Sequence, residues 1–88
     1  MNLRKLARGR ECTVRLPCCC GDPATVVLAH FRLAGISGLG MKPPDVIGAW
    51  TCATCHAYVD THKDAETQLA FAKGVFRTQA ALIREGAL

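Results

Sequence analysis

Six cysteines in a chain of 88 residues constrain this sequence more than any other feature. A domain of that length buries only about 60–65% of the surface its unfolded form exposes, so an apolar core alone is marginal. Small domains therefore add disulfides, a metal or a partner subunit. Residues 1–10 are basic and helix-prone but carry no apolar run of a secretory signal. The expected setting is the reducing cytoplasm, where thiolates bind metal rather than form lasting disulfides. No segment approaches the ~20 consecutive apolar residues of a membrane-spanning helix, and no membrane partner is expected.

Tetrahedral zinc takes four sulfur or nitrogen ligands, often as two short cysteine pairs from separate loops. Cys52-Ala53-Thr54-Cys55 is one such pair, and the helix N-terminus that follows it favours thiolate charge. Cys12 and the run Cys18-Cys19-Cys20 supply the second, with Thr13 to Pro17 forming a small hairpin between them. Adjacent residues of an extended segment point to opposite sides, so one cysteine of the run binds. The expected ligands of a structural Zn²⁺ are Cys12, one of Cys19 or Cys20, Cys52 and Cys55, with Cys18 a packing thiol. Three rivals exist: a disulfide framework, a redox-active Cys-x-x-Cys, and covalent haem attachment at Cys52-x-x-Cys55-His56 with Met41 as second axial ligand.

No repeat, low-complexity tract or linker divides the chain, so one domain is expected over residues 1–88. A short helix is predicted over 2–9, a short strand over 13–16 and a turn at Gly21-Asp22-Pro23. The β-branched stretch 25–31 reads as a strand carrying His30 near its end. A glycine- and proline-rich loop follows over 32–45, long enough to be functional, and 46–51 reads as the returning strand. Helices are predicted over 53–60 and from about 64 to 85. Leu69, Ala72, Phe76, Ala80 and Ile83 form the apolar face of the second, Gly86 its stop and Gly74 an interruption.

Charge adds a mild bias, 11 Lys and Arg against 7 Asp and Glu. Arg4, Lys5, Arg8, Arg10 and Arg15 concentrate it near the N-terminus, where it reads either as a phosphate contact or as a solvated end. His30 reads as a core residue or as a catalyst. His56 and Asp60, four apart, share one helix face and could grip a divalent cation.

Arg10-Glu11-Cys12, the Gly21-Asp22-Pro23 turn, Val27-Leu28-Ala29-His30, the glycine-rich stretch through Lys42-Pro43-Pro44-Asp45, and Cys52-x-x-Cys55-His56 together resemble the HNH, or ββα-metal, nucleases. More specifically they resemble the YbcO-like family of small prophage-encoded candidate nucleases, related to the RecA-dependent phage nuclease Ref. The resemblance spans the chain to about Asp60. It implies an α+β fold, a small zinc-stapled ββα-metal (HNH-like) domain with a long C-terminal helix, working in a bacterial host cell. It makes His30 the general base, His56 a ligand of a catalytic Mg²⁺ or Mn²⁺, and Asp60 the substitute for a second helix histidine. Two positions depart from the HNH pattern: Ala29 stands where another metal ligand is common, and no asparagine occupies the middle position. Asp45 reads as a turn residue or as the group that orients His30 in place of that asparagine. Two functions follow: a metal-dependent endonuclease or nicking enzyme acting on DNA, with a recombinase filament as a candidate partner, or a non-catalytic zinc module that binds nucleic acid or a recombination protein.

Overall fold

The β-branched stretch expected as the first strand is shortened at its start by its own turn chemistry. Asp22 accepts a hydrogen bond from the Ala24 amide at 3.0 Å and caps a 3-10 turn over Pro23–Thr25. In the computed structural model, which describes residues 2–33, 35–36 and 43–88, β1 is Val27–His30 and pairs antiparallel with β2, Gly48–Thr51. Val27 faces Thr51 and His30 faces Gly48. The Phe31 amide extends the pairing to the Ile47 carbonyl at 2.9 Å, while the Ile47 amide turns back to Pro44. The glycine-rich part of the predicted loop, 37–42, lies outside the described residues.

All four residues of β2 are buried, so its second edge needs partners for the backbone groups that β1 leaves free. Two threonines supply them. The Thr13 amide and hydroxyl both donate to the Trp50 carbonyl, at 2.8 and 3.0 Å. The Trp50 amide donates to Thr78 Oγ1 at 3.0 Å, and the two hydroxyls lie 3.0 Å apart. The strand expected over 13–16 does not form. Val14 turns into the core and Arg15 adopts φ 57°, so the segment touches β2 through Thr13 and then leaves.

Helix α1 (Leu3–Leu6) is shorter than the 2–9 expected. Asn2 caps it by accepting from the Arg4 and Lys5 amides, and Gly9 at φ 77° turns the chain away. Helix α2 (Ala53–Thr61) follows β2 directly. Helix α3 (Ala65–Arg84) starts at Asp64, whose carboxylate accepts from the Thr67 amide and hydroxyl. It ends as expected at Gly86, φ 75°, where the Ala87 amide reaches back to the Leu82 carbonyl at 2.8 Å.

The buried face of α3 is not the one expected. Leu69, Phe76 and Ile83 are 55%, 68% and 63% exposed, while the helix packs against β2 and its buried residues are Thr67, Phe71, Gly74, Val75, Thr78 and Leu82. Apolar spacing misled because the winning face carries a glycine and two threonines. Its contacts need them: a Cβ on Gly74 would lie 2.9 Å from Val14 Cγ2 and 3.1 Å from Val14 Cα, and Thr78 must present a hydroxyl to the sheet edge. Phe71 completes the packing edge-on against Phe31, with ring centroids 5.0 Å apart. Among the described residues no helix is long and apolar enough to cross a membrane.

Candidate functional site

Four thiols converge where the start of α2 meets the N-terminal loops. Cys52 is the residue before α2 and Cys55 lies in its first turn. Cys12 arrives just before the Thr13 contact to β2, and the Cys19 amide closes a turn on the Leu16 carbonyl at 2.9 Å. The sulfurs of Cys12, Cys19, Cys52 and Cys55 all lie within 4.8 Å of one another, with Cys19 and Cys52 at 3.6 Å. Four sulfurs arranged tetrahedrally about 2.3 Å from a zinc ion would be about 3.8 Å apart, so the group could hold one.

Charge supports the same fit. Burial on its own raises the Cys52 thiol, but hydrogen bonds from Thr54 Oγ1 and from the Cys55 and Cys20 amides outweigh it and bring it down to about 5. Burial pushes the Cys55 and Cys19 thiols up, and in both cases neighbouring thiols of the cluster add to the rise. Buried sulfurs this close repel one another as anions, and a divalent cation removes that conflict.

Of the two cysteines left open by spacing, Cys19 points into the cluster and Cys20 does not. Cys20 is exposed, with its sulfur 3.7 Å from Thr25 Oγ1. Cys18 is also exposed rather than packed, its sulfur 3.9 Å from the Thr54 carbonyl. Two threonines escaped the sequence reading. Thr54 Oγ1 accepts from the Cys20 amide at 3.0 Å and lies 3.4 Å from Cys52 Sγ. Thr25 Oγ1 accepts from the Ala53 amide at 3.1 Å and donates to the Asp22 carbonyl. Together they tie the cysteine loop to the start of α2. A hydroxyl inside the Cys-x-x-Cys turn was the available signal for Thr54; Thr25 carried none. The haem rival's Met41 lies outside the described residues.

His30 ends β1, half-buried, with its Nε2 2.7 Å from Asp45 Oδ1. Arg4 Nε lies 3.4 Å from the same oxygen. The hydrogen bond to His30 lowers the Asp45 carboxyl below its ordinary range against the opposing effect of burial, and Arg4 adds to the lowering. Asp45 is therefore more than a turn residue. Arg4 was read only as part of a charge excess, because its partner lies 41 residues away.

His56 and Asp60 share a face of α2, with Nε2 and Oδ2 3.6 Å apart and both side chains open to solvent. Among the described residues neither pair is joined by a third His, Cys, Asp or Glu ligand atom in the way the four thiols are. His62 closes the same helix, its ring stacked on Tyr58 at 3.8 Å and its Nδ1 near Thr61 Oγ1.

A protein of Escherichia coli (strain K12) named "Putative nuclease YbcO" is 45% identical over 93 aligned positions, covering 99% of this chain and 96% of its own. A protein of Enterobacteria phage 82 with the corresponding name matches to the same extent. A solved structure titled as a putative bacteriophage protein from Escherichia coli superposes with a TM-score of 0.78 at 40% identity, covering 97% of this chain and 100% of that one. The family described as "Putative nuclease YbcO" matches residues 1–87. The chain belongs to that family.

Proposed function

We propose that the protein is a metal-dependent endonuclease or nicking enzyme acting on DNA, built as an HNH-like domain over residues 1–88, with His30 as general base and His56 and Asp60 as ligands of a catalytic cation. The observation that carries this reading is the His30–Asp45 contact at 2.7 Å. A general base needs a fixed ring and a defined tautomer. Asp45, itself held by Arg4, accepts a hydrogen bond from Nε2–H and leaves Nδ1 as the basic nitrogen. Nδ1 takes a proton from water as the oxygen attacks phosphorus; the bond from phosphorus to the leaving deoxyribose oxygen breaks, and that oxygen is protonated from solvent.

His56 and Asp60 offer one nitrogen and one carboxylate oxygen, a mixed set that suits Mg²⁺ or Mn²⁺ and leaves positions open. When bound, such a cation neutralises charge on the phosphate and the leaving oxygen. The four thiols serve a separate, structural Zn²⁺ that fixes the start of α2, and with it His56, against the N-terminal loops.

In a test with supercoiled plasmid and Mg²⁺ or Mn²⁺, the wild-type protein nicks DNA, while His30→Ala keeps its zinc and its fold but cuts at least 100-fold more slowly. Absence of cleavage by the wild type with either cation, alone or with a recombinase filament, would refute the enzyme reading in favour of a zinc module that binds nucleic acid or a recombination protein.

A further inference from the structure

The N-terminal cations that sequence grouped together have separate fates in the fold. Arg4 is taken by Asp45. Arg10 is held by both carboxylate oxygens of Glu85 while its guanidinium lies 4.8 Å over the Trp50 ring. Arg15 is different. It sits at φ 57°, a conformation that non-glycine residues seldom hold and that is enriched where a side chain must be aimed. That backbone places it in the walls of two adjoining cavities of about 330 and 360 Å³ on the open-edge side of β2.

Helix α3 forms the other wall. Lys73, Arg77 and Arg84 recur at intervals of four and seven, so they share one face and span about 16 Å. Arg77 is steadied by donating to the Thr13 carbonyl at 2.8 Å. Among the described residues, none of Arg15, Lys73, Arg77 and Arg84 joins an ion pair. Glu11 and Glu66 are the acidic groups in the same walls, leaving cations in excess. Trp50 lines the first cavity, and its buried Nε1 finds no acceptor among the described residues. Positive charge therefore exceeds negative charge on a concave face that includes none of His30, His56 and Asp60.

We infer that this face of α3, with Arg15, is a second phosphate-binding surface, which seats the backbone of a DNA duplex away from the candidate catalytic residues. The inference rests on the reading that DNA is what the protein acts on. A carboxylate-bearing peptide matches the surface less well, because three cations spaced along α3, with Arg15 beside them, suit a regular line of charges. Each cation that meets a phosphate releases counterions, so binding weakens with salt by a slope of about 0.9 per contact.

The test measures fluorescence anisotropy of a labelled 25-base-pair duplex over a salt series without added divalent cation. The triple variant Arg15→Gln, Lys73→Gln, Arg84→Gln alters exposed side chains and leaves Arg77 in place. It should lower the salt slope by roughly 2–3 and weaken binding at least tenfold at low salt. Lys5→Gln with Arg8→Gln should change the slope by less than one. Unchanged binding by the triple variant, loss caused by the N-terminal variant instead, or no duplex binding by the wild type overturns the inference. Circular dichroism and zinc content guard against a folding defect; if the triple variant unfolds, Arg84→Gln alone must lower the slope by about one. An uncleaved plasmid with an intact α3 effect would sink the nuclease reading and spare this one; cleavage with no α3 effect would do the reverse.

Discussion

Asp45 shows how much one side chain can decide. Its carboxylate touches His30 and Arg4 at once, and its titration is displaced downward, chiefly by the hydrogen bond to His30. A carboxyl with a lowered folded-state pKa stabilises the fold above its unfolded value, and that stabilisation disappears as pH falls through the lowered value. Wild-type protein should therefore lose stability on acidification below about pH 5 more steeply than Asp45→Asn. Release of a metal held by the four thiols would be common to both, so the difference between their unfolding midpoints isolates Asp45. Equal acid profiles would remove the contact from the folded state in solution. Asp45→Asn keeps a hydrogen-bond acceptor, so its nicking should fall less than that of Asp45→Ala, which leaves the ring unanchored; plasmid nicking at pH 7.5 measures both. Sequence left Asp45 open between turn and orienting group, because proximity between residues 15 apart is not written in either.

At the scale of elements, the long helix is the informative case. Its start, length and glycine stop were legible from capping chemistry and composition, and its buried face was not. Phe76, expected in the core, is exposed, while Leu82 is buried. Phe76→Gln should change stability by no more than about 0.5 kcal/mol, whereas Leu82→Ala should cost about 2–5 kcal/mol, both read from chemical denaturation. Gly74→Ala sets two effects against each other. The helix gains about 1 kcal/mol from alanine, but the new methyl meets Val14 at 2.9 Å, with Val14 backbone atoms just behind it. Overpacking of that kind costs about 1–3 kcal/mol, so net destabilisation is expected. A stabilised Gly74→Ala protein would contradict this packing of α3 on the 12–14 segment.

For the molecule as a whole, the thiol cluster joins parts of the chain that are distant in sequence. It ties loops around Cys12 and Cys19 to the start of α2. Metal binding in such sites contributes on the order of 10 kcal/mol coupled to folding. Purified protein should carry one zinc per chain. Cys52→Ser should unfold it, Cys19→Ser should lose zinc, and Cys20→Ser should retain both, as judged by elemental analysis and thermal melts. Zinc retained by Cys19→Ser but lost by Cys20→Ser would reverse the assignment within the cysteine run.

By itself the sequence determined local matters: where helices cap and stop, that a β-hairpin precedes a helix opened by Cys-x-x-Cys, that four cysteines suffice for a metal, and that His56 and Asp60 share a helix face. The caps, the stop and the shared helix face follow from residues within a few positions of one another, and the metal from the number and short pairing of the cysteines. Only the tertiary structure chose Cys19 over Cys20, put Thr13 and Thr78 on the open edge of β2, turned Gly74 rather than Phe76 inward, and brought Arg4 and Asp45 to His30. Those outcomes depend on which surfaces meet, and close approach, edge satisfaction and long-range pairing leave no periodic trace in the chain.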